Sequence, residues 1–184
     1  MGILCERSEM MKKLILCFDC GDTLVDEGTQ VFADNGDVLS AEPIPGALEA
    51  LRAFHEQGYR LALVADGRTA SFRNILGKLN VWDLFETHTI SEEVGELKPS
   101  PKMFHDARQK LGLTEDDFGH MVMFGNNRLR DIKGANGVGM ISVLLDYSPR
   151  YVKTASMPDE EPTYLTKKPQ EWIPLIDQLE NKVK

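Results

Sequence analysis

The sequence predicts an α/β protein: a three-layer sandwich built on a mainly parallel sheet of five to six strands, with a small β-hairpin flap and no large cap. Three observations lead there. Strand-like apolar runs alternate with helix-patterned segments along most of the chain, and the first of them, Leu14 to Phe18, is apolar throughout and ends in the carboxylate of Asp19. An Asn35-Gly36 pair then breaks the alternation between two short β-prone runs. Alternation implies a parallel sheet with helices on both faces, a Rossmann-like architecture. A run with no polar side reads as a strand buried on both faces. Asn-Gly between β-prone runs is the strongest short-range hairpin signal.

The elements follow in order. Lys12 to Asp19 is the first strand. The hairpin spans Gln30 to Leu39 and follows Asp19 closely enough to overhang its carboxylate. Pro45 to Gln57 carries apolar residues at helical spacing, with Pro near its start and Gly58 after its end. Tyr59 to Ala65 is a second strand, Thr69 to Lys78 a helix, and Thr87 to Ile90 a third strand. Pro101 to Leu111 is a helix capped by Ser100 and stopped by Gly112. His120 to Gly125 is a fourth strand, Leu129 to Asn136 a helix, and Met140 to Leu145 a fifth strand. Pro174 shifts the start of the last helix to about Ile173. Ser148 to Pro169, rich in Pro, charge and turn residues, reads as a surface excursion.

The chain has 184 residues and a net charge of −8. That length suffices for one domain with a real core. The expected organisation is a disordered tail over residues 1–11 and a single domain over 12–184, with the flap at about 24–42. The acidic balance argues against nucleic-acid binding. No apolar stretch is long enough to span a bilayer, and residues 1–10 lack the apolar middle of a signal peptide. The three cysteines do not make a disulfide scaffold, so the cytoplasm is the expected location. Cys17 and Cys20 have CxxC spacing, but they lie on a strand and its exit, not at a helix start where a thiol becomes reactive. The four histidines show no metal-ligand spacing.

In such a sheet four loops gather at the carboxyl edge, where open α/β sheets bind ligands. They carry Asp19, Gly21, Asp22 and Thr23; Ala65, Asp66, Gly67 and Arg68; Gly95 to Pro99, with Lys98; and Gly125 to Asp131, with Asn126 and Arg128. Carboxylates, amides and the cations Arg68, Lys98 and Arg128 suit a phosphoryl group with Mg²⁺, which takes oxygen ligands from one or two carboxylates, phosphate and water.

From about Lys13 to Leu145 the chain resembles the haloacid dehalogenase-like (HAD) hydrolase superfamily. The resemblance rests on Phe18-Asp19-x-x-Asp22-Thr23-Leu24-Val25-Asp26, on Ser91-Glu92-Glu93-Val94-Gly95-x-x-Lys98-Pro99, and on the order of the four loops. It implies a Mg²⁺-dependent phosphatase in which Asp19 attacks phosphorus and forms an aspartyl-phosphate that water hydrolyses. Lys98 would neutralise the nucleophile and the transferring oxygens. Thr23 would shape the turn. Thr23, Ala65, Asp66, Gly67, Arg68 and Arg128 are the expected substrate-binding residues. Asp19, the Gly21 carbonyl, Asn126 and Asp131 would hold the metal.

Three positions depart from the family pattern. Gly21 stands where an acid/base Asp is usual, Ala65 where a phosphate-binding hydroxyl is usual, and Asn126 where a metal carboxylate is usual. A positioned acid/base contributes about 10²–10⁴-fold, so its loss falls hardest on alkyl phosphates and spares activated ones. Asp22 is displaced by one residue: a strand-like path turns its side chain away, whereas an irregular turn lets it swing in as a substitute. The chain is expected to be weak or limited to activated phosphates. The alternative is a catalytically decayed phosphate-binding or regulatory domain. A receiver-type domain fits poorly, because Asp19 ends the first strand, and no G-x-G-x-x-G marks a dinucleotide fold. Absence of a cap leaves the site open to a macromolecular phosphate, or to a small phosphorylated substrate closed over by a second subunit of a homo-oligomer. It also weakens a dehalogenase reading.

Overall fold

A parallel strand order organises the chain. A computed structural model describes residues 12–183; the tail expected over residues 1–11 lies outside the described residues. In chain order come β1 (Ile15–Phe18), the hairpin β2 (Val31–Phe32) and β3 (Val38–Ser40), α1 (Ala47–Glu56), β4 (Arg60–Ala65) and α2 (Thr69–Lys78). Then follow β5 (Thr87–Ile90), α3 (Ser91–Val94), α4 (Pro101–Lys110), β6 (Met121–Gly125), α5 (Lys133–Val138), β7 (Ile141–Leu145), β8 (Tyr164–Thr166) and α6 (Trp172–Glu180). The sheet order is β5-β4-β1-β6-β7-β8, with every neighbouring pair parallel. The carboxyl ends of β1, β4 and β6 therefore lie side by side at one edge.

β1 sits in the middle because it can bury both faces. Leu14, Leu16 and Phe18 join Leu51, Phe54, Phe72, Leu76, Trp172 and Ile176 from α1, α2 and α6. Ile15 and Cys17 join Met103, Phe104, Ala107 and Ala135 from α4 and α5. The period of two in a strand divides one apolar run between two cores. Phe18 stacks on Phe124 of β6, with ring centroids 4.6 Å apart, and Trp172 closes over both rings at 5.9 and 5.0 Å. This aromatic packing lies one residue before Asp19.

The hairpin forms where Asn35-Gly36 places it, with Gly36 at φ 84°. It docks on α2: the Val38 amide donates to Ser71 Oγ at 2.9 Å, and Asn74 Nδ2 donates to the Val38 carbonyl at 3.1 Å.

Two expectations change. The segment from Ser148 to Pro169 is not only a surface excursion: it contributes the sixth strand, β8, three residues long and too short to show a period. The helix expected over Leu129 to Asn136 opens instead as a π-type turn, Arg128–Ile132, before α5 begins. The Asn127 carbonyl accepts the amides of Arg130, Asp131 and Ile132, which widens the turn. Turns of this kind are frequent at functional sites.

Phe18→Ala is expected to cost about 3–5 kcal/mol of stability, the range for emptying a buried aromatic site. Urea denaturation measures it; a loss under about 1 kcal/mol would show that the stack under Asp19 is not a structural support.

Candidate active site

The end of β1 delivers Asp19 to a cavity of about 280 Å³. Of the residues expected from sequence, Asp19, Gly21, Asp66, Gly67, Arg68, Lys98, Asn126 and Asp131 line it. The hairpin contributes Gly36 and Val38 to the same wall, so the flap does overhang the carboxylate.

Lys98 is the centre of the site. Its Nζ lies 2.8 Å from Asp19 Oδ1 and 2.7 Å from Asp131 Oδ1, and donates to the Val64 carbonyl at 2.8 Å. The backbone amide of Lys98 donates to Asp66 Oδ1 at 3.0 Å, and Asp66 Oδ2 receives Arg130 at 3.3 Å. Asp66 thus anchors the lysine loop. Burial works against the ammonium charge, but Asp131 and Asp19 outweigh it and hold Lys98 above its ordinary pKa.

Asp131 is folded back onto its own loop. Its Oδ2 accepts the amides of Asn126 and Asn127 at 3.1 and 3.0 Å. Gly125 makes this posture possible: a Cβ there would stand 2.5 Å from Asp131 Oδ2 and closer to its Cβ and Cγ.

With both carboxylates ionised, Asp19, Asp131 and Lys98 sum to one buried negative charge. Burial, with Asp131 adding to it against Lys98, pushes the Asp19 carboxyl up to about 7. Oδ1 of Asp19 is committed to Lys98, whereas Oδ2 has only a long 3.4 Å contact from Thr23 Oγ1. Oδ2 is the oxygen left to act.

The residues fit a hard divalent cation. Asn126 Nδ2 is buried with no hydrogen-bond partner among the described residues. A half-turn exchanges amide nitrogen and oxygen, which would leave an unpartnered oxygen beside a site in negative excess. No group of three or more His, Cys, Asp or Glu among the described residues is arranged for a metal. Two carboxylates, an amide oxygen and a backbone carbonyl are nevertheless a sufficient protein share for a magnesium-type ion, which keeps waters and substrate oxygens.

Several expected contacts are corrected. Arg128 does not face the cavity; it is buried and donates to the carbonyls of Lys153 and Glu160 and to Glu161, tying the β6 loop to the segment before β8. Thr23 and Ala65 are fully buried and do not line the cavity. The Gly67 amide, expected to be offered to phosphate, is donated to Ser91 Oγ at 2.9 Å. Arg68 stands at the rim and holds the hairpin through the Asn35 carbonyl and Asp37. Burial pushes Cys17 up to about 12 and Cys20 well above its ordinary value, so neither is the reactive thiolate a redox motif needs.

Other residues enter unannounced. Glu27, Arg130 and Tyr151 line the cavity. Asp22, at φ 52° and fully buried, is turned from it and grips Arg150 at 2.8 and 2.5 Å. Burial opposes the Asp22 charge, but the hydrogen bonds from Arg150 and the Glu27 amide hold its carboxyl below the usual range. No local pattern marks Arg150 or Tyr151, which lie in the stretch read as a surface excursion.

Among known proteins, the sequence pattern of haloacid dehalogenase-like hydrolases matches residues 19–139. A glyceraldehyde 3-phosphate phosphatase of Methanopyrus kandleri is 28% identical over 138 residues, 75% of this chain and 58% of its own length. The chain spans about half the length of the curated relatives it matches. A HAD phosphatase from Thermococcus onnurineus superimposes with a TM-score of 0.71 at 17% identity, covering 89% of this chain and 97% of its own. The magnesium-bound HAD-hydrolase YfnB from Bacillus subtilis gives 0.65 at 21% identity, covering 74% and 57%. These two likenesses show the fold.

Asp19 holds its proton more tightly folded than unfolded, so its contribution to stability is lost as pH rises from about 4 to about 7. In chelated protein, Asp19→Asn is expected to gain thermal stability over wild type as pH increases through that window, with the difference levelling off above pH 8. Melting curves at pH 4.5, 6 and 8 measure it; a difference that shrinks with rising pH would contradict the excess charge.

Proposed function

This chain belongs to the haloacid dehalogenase-like hydrolase family, and we propose that it is a magnesium-dependent phosphatase acting through an aspartyl-phosphate on Asp19. The observation that carries the reading is Lys98 held between Asp19 and Asp131 beneath one small cavity, with Asp19 Oδ2 left free. Residues 12–184 act as one catalytic domain in this reading.

Oδ2 of Asp19 attacks phosphorus and the leaving oxygen departs. Lys98 neutralises charge on the attacking carboxylate and on a phosphoryl oxygen, and needs no reorganisation because its neighbours already fix it. Water then attacks the phosphoryl group and frees Asp19. Asp19, the Gly21 carbonyl, Asn126 and Asp131 are the residues to hold magnesium, which when bound offsets the excess negative charge and that of the phosphate. With an amide in place of one carboxylate, affinity for the ion is lower than with a third acid. A magnesium-bound fold neighbour supports the choice of ion.

A cavity of about 280 Å³ is at the small end of the range for small-molecule sites. Together with a relative named for a three-carbon sugar phosphate, it favours a small phosphorylated metabolite over a macromolecule. No helix of the described residues is long and apolar enough to cross a membrane, and the buried thiols of Cys17 and Cys20 are compatible with a cytoplasmic protein.

The rival reading is phosphate binding without turnover. Gly21, Ala65 and Asn126 together favour it, because they stand where the family carries its acid/base, its hydroxyl and a metal carboxylate. Phosphate release from p-nitrophenyl phosphate decides between them. The phosphatase reading expects release with Mg²⁺, loss with chelator, and at least about a thousandfold loss in Asp19→Asn, as for other covalent nucleophiles. Activity persisting in Asp19→Asn, or no release by the wild type, overturns it.

A further inference from the structure

Gly21 is not a glycine for the sake of its backbone, because its φ is outside the left-handed region. With no side chain at 21, Glu27 occupies the space beside it. A Cβ on Gly21 would lie 2.8 Å from Glu27 Cδ and 2.9 Å from Cγ, and closer still to Oε1. The carboxyl of Glu27 therefore fills the volume that a side chain at position 21 would take, on the wall of the Asp19 cavity.

We propose that Glu27 is the proton donor and acceptor of this phosphatase, a catalytic residue supplied from the turn after β1. The inference rests on the phosphatase reading above. Among the described residues, four carboxylates line the cavity: Asp19, Glu27, Asp66 and Asp131. Asp19 and Asp131 are paired with Lys98, and Asp66 with Arg130. Glu27 has no cationic partner and receives only the neutral Tyr151 hydroxyl, at 2.8 Å on Oε2. Of these four carboxylates it is the one not held in an ion pair.

The displaced acid Asp22 positions it. Asp22 Oδ1 accepts the Glu27 amide at 3.0 Å, and Arg150 binds both Asp22 and Asp26. The short 3-10 turn Glu27–Thr29 is thereby clamped from the segment that also brings Tyr151. The charged and titratable groups around Glu27 are thus Tyr151, Arg150, Asp22, Asp26 and the buried thiol of Cys20, which feels the Glu27 charge.

The steps balance. As the Asp19 oxygen bonds to phosphorus and the phosphorus–oxygen bond to the leaving group breaks, protonated Glu27 gives its proton to the leaving alkoxide. When water attacks the aspartyl-phosphate, the Glu27 carboxylate takes a water proton, the bond from Asp19 to phosphorus breaks, and both carboxyls return to their starting forms.

Two probes separate the steps in the presence of Mg²⁺. p-Nitrophenolate departs without a proton; the alkoxide of glycerol 3-phosphate does not. Wild type is expected to turn over both. Glu27→Gln is expected to lose about 10²–10⁴-fold in steady-state turnover of both, yet to release a burst of about one p-nitrophenolate per enzyme in rapid mixing, with no burst of glycerol. The double variant Gly21→Asp with Glu27→Ala refills the same volume with a carboxylate and is expected to hydrolyse glycerol 3-phosphate faster than Glu27→Ala alone. Overturning results are turnover of glycerol 3-phosphate by Glu27→Gln within about threefold of wild type, loss of the burst, equal rates in the two Ala-containing variants, or a wild type that hydrolyses only the aryl ester. Each of these leaves the phosphatase reading standing. A wild type that hydrolyses neither ester removes that reading, and this inference with it.

Discussion

The ion pair that Lys98 makes with both Asp19 and Asp131 is the constraint from which the rest of the site follows. One ammonium between two buried carboxylates, at 2.8 and 2.7 Å, leaves one net negative charge on the wall of the cavity. A buried charge of that kind is costly unless something answers it. In the proposed phosphatase a bound magnesium ion would supply the missing positive charge. The raised Asp19 carboxyl and the Asn126 amide, unpartnered among the described residues, are two signs of the same incompleteness.

The surrounding structure exists to hold that pair in place. β1 is central in the sheet and its aromatic residue is stacked between neighbours, so Asp19 is fixed from below. Asp66 fixes the loop that carries Lys98, and a glycine at 125 gives Asp131 the room to turn back onto two amides. A glycine at 21 gives equal room to Glu27. In both cases the missing side chain makes way for a carboxylate that arrives from farther along the chain.

Much of this was legible in the sequence, and the reason is locality. The apolar run before Asp19, the Asn35-Gly36 hairpin and the capped helix after Lys98 each announce themselves within about ten residues, because period and turn chemistry are local. The four loops could be placed together because parallel order is a rule of connection. What escaped was non-local. Arg150 reaches Asp22 across 128 positions of chain, and Tyr151 reaches Glu27 across 124. Arg128 is expected at the phosphate because it is a cation in the loop after the fourth strand, but it lies in the π-type turn and is buried against the segment before β8. Glu27 was hidden for a different reason: a glycine in a motif reads as a loss, and only the packed structure shows what fills the gap.

The most direct test of the account is to trap the covalent intermediate. Protein mixed with p-nitrophenyl phosphate and Mg²⁺ would be quenched in acid within the turnover time, reduced with borohydride, and mapped by peptide mass spectrometry. An aspartyl-phosphate on Asp19 predicts conversion of that residue, and no other aspartate, to homoserine. Phosphate released with no reduced residue, or reduction at a different aspartate, would contradict it.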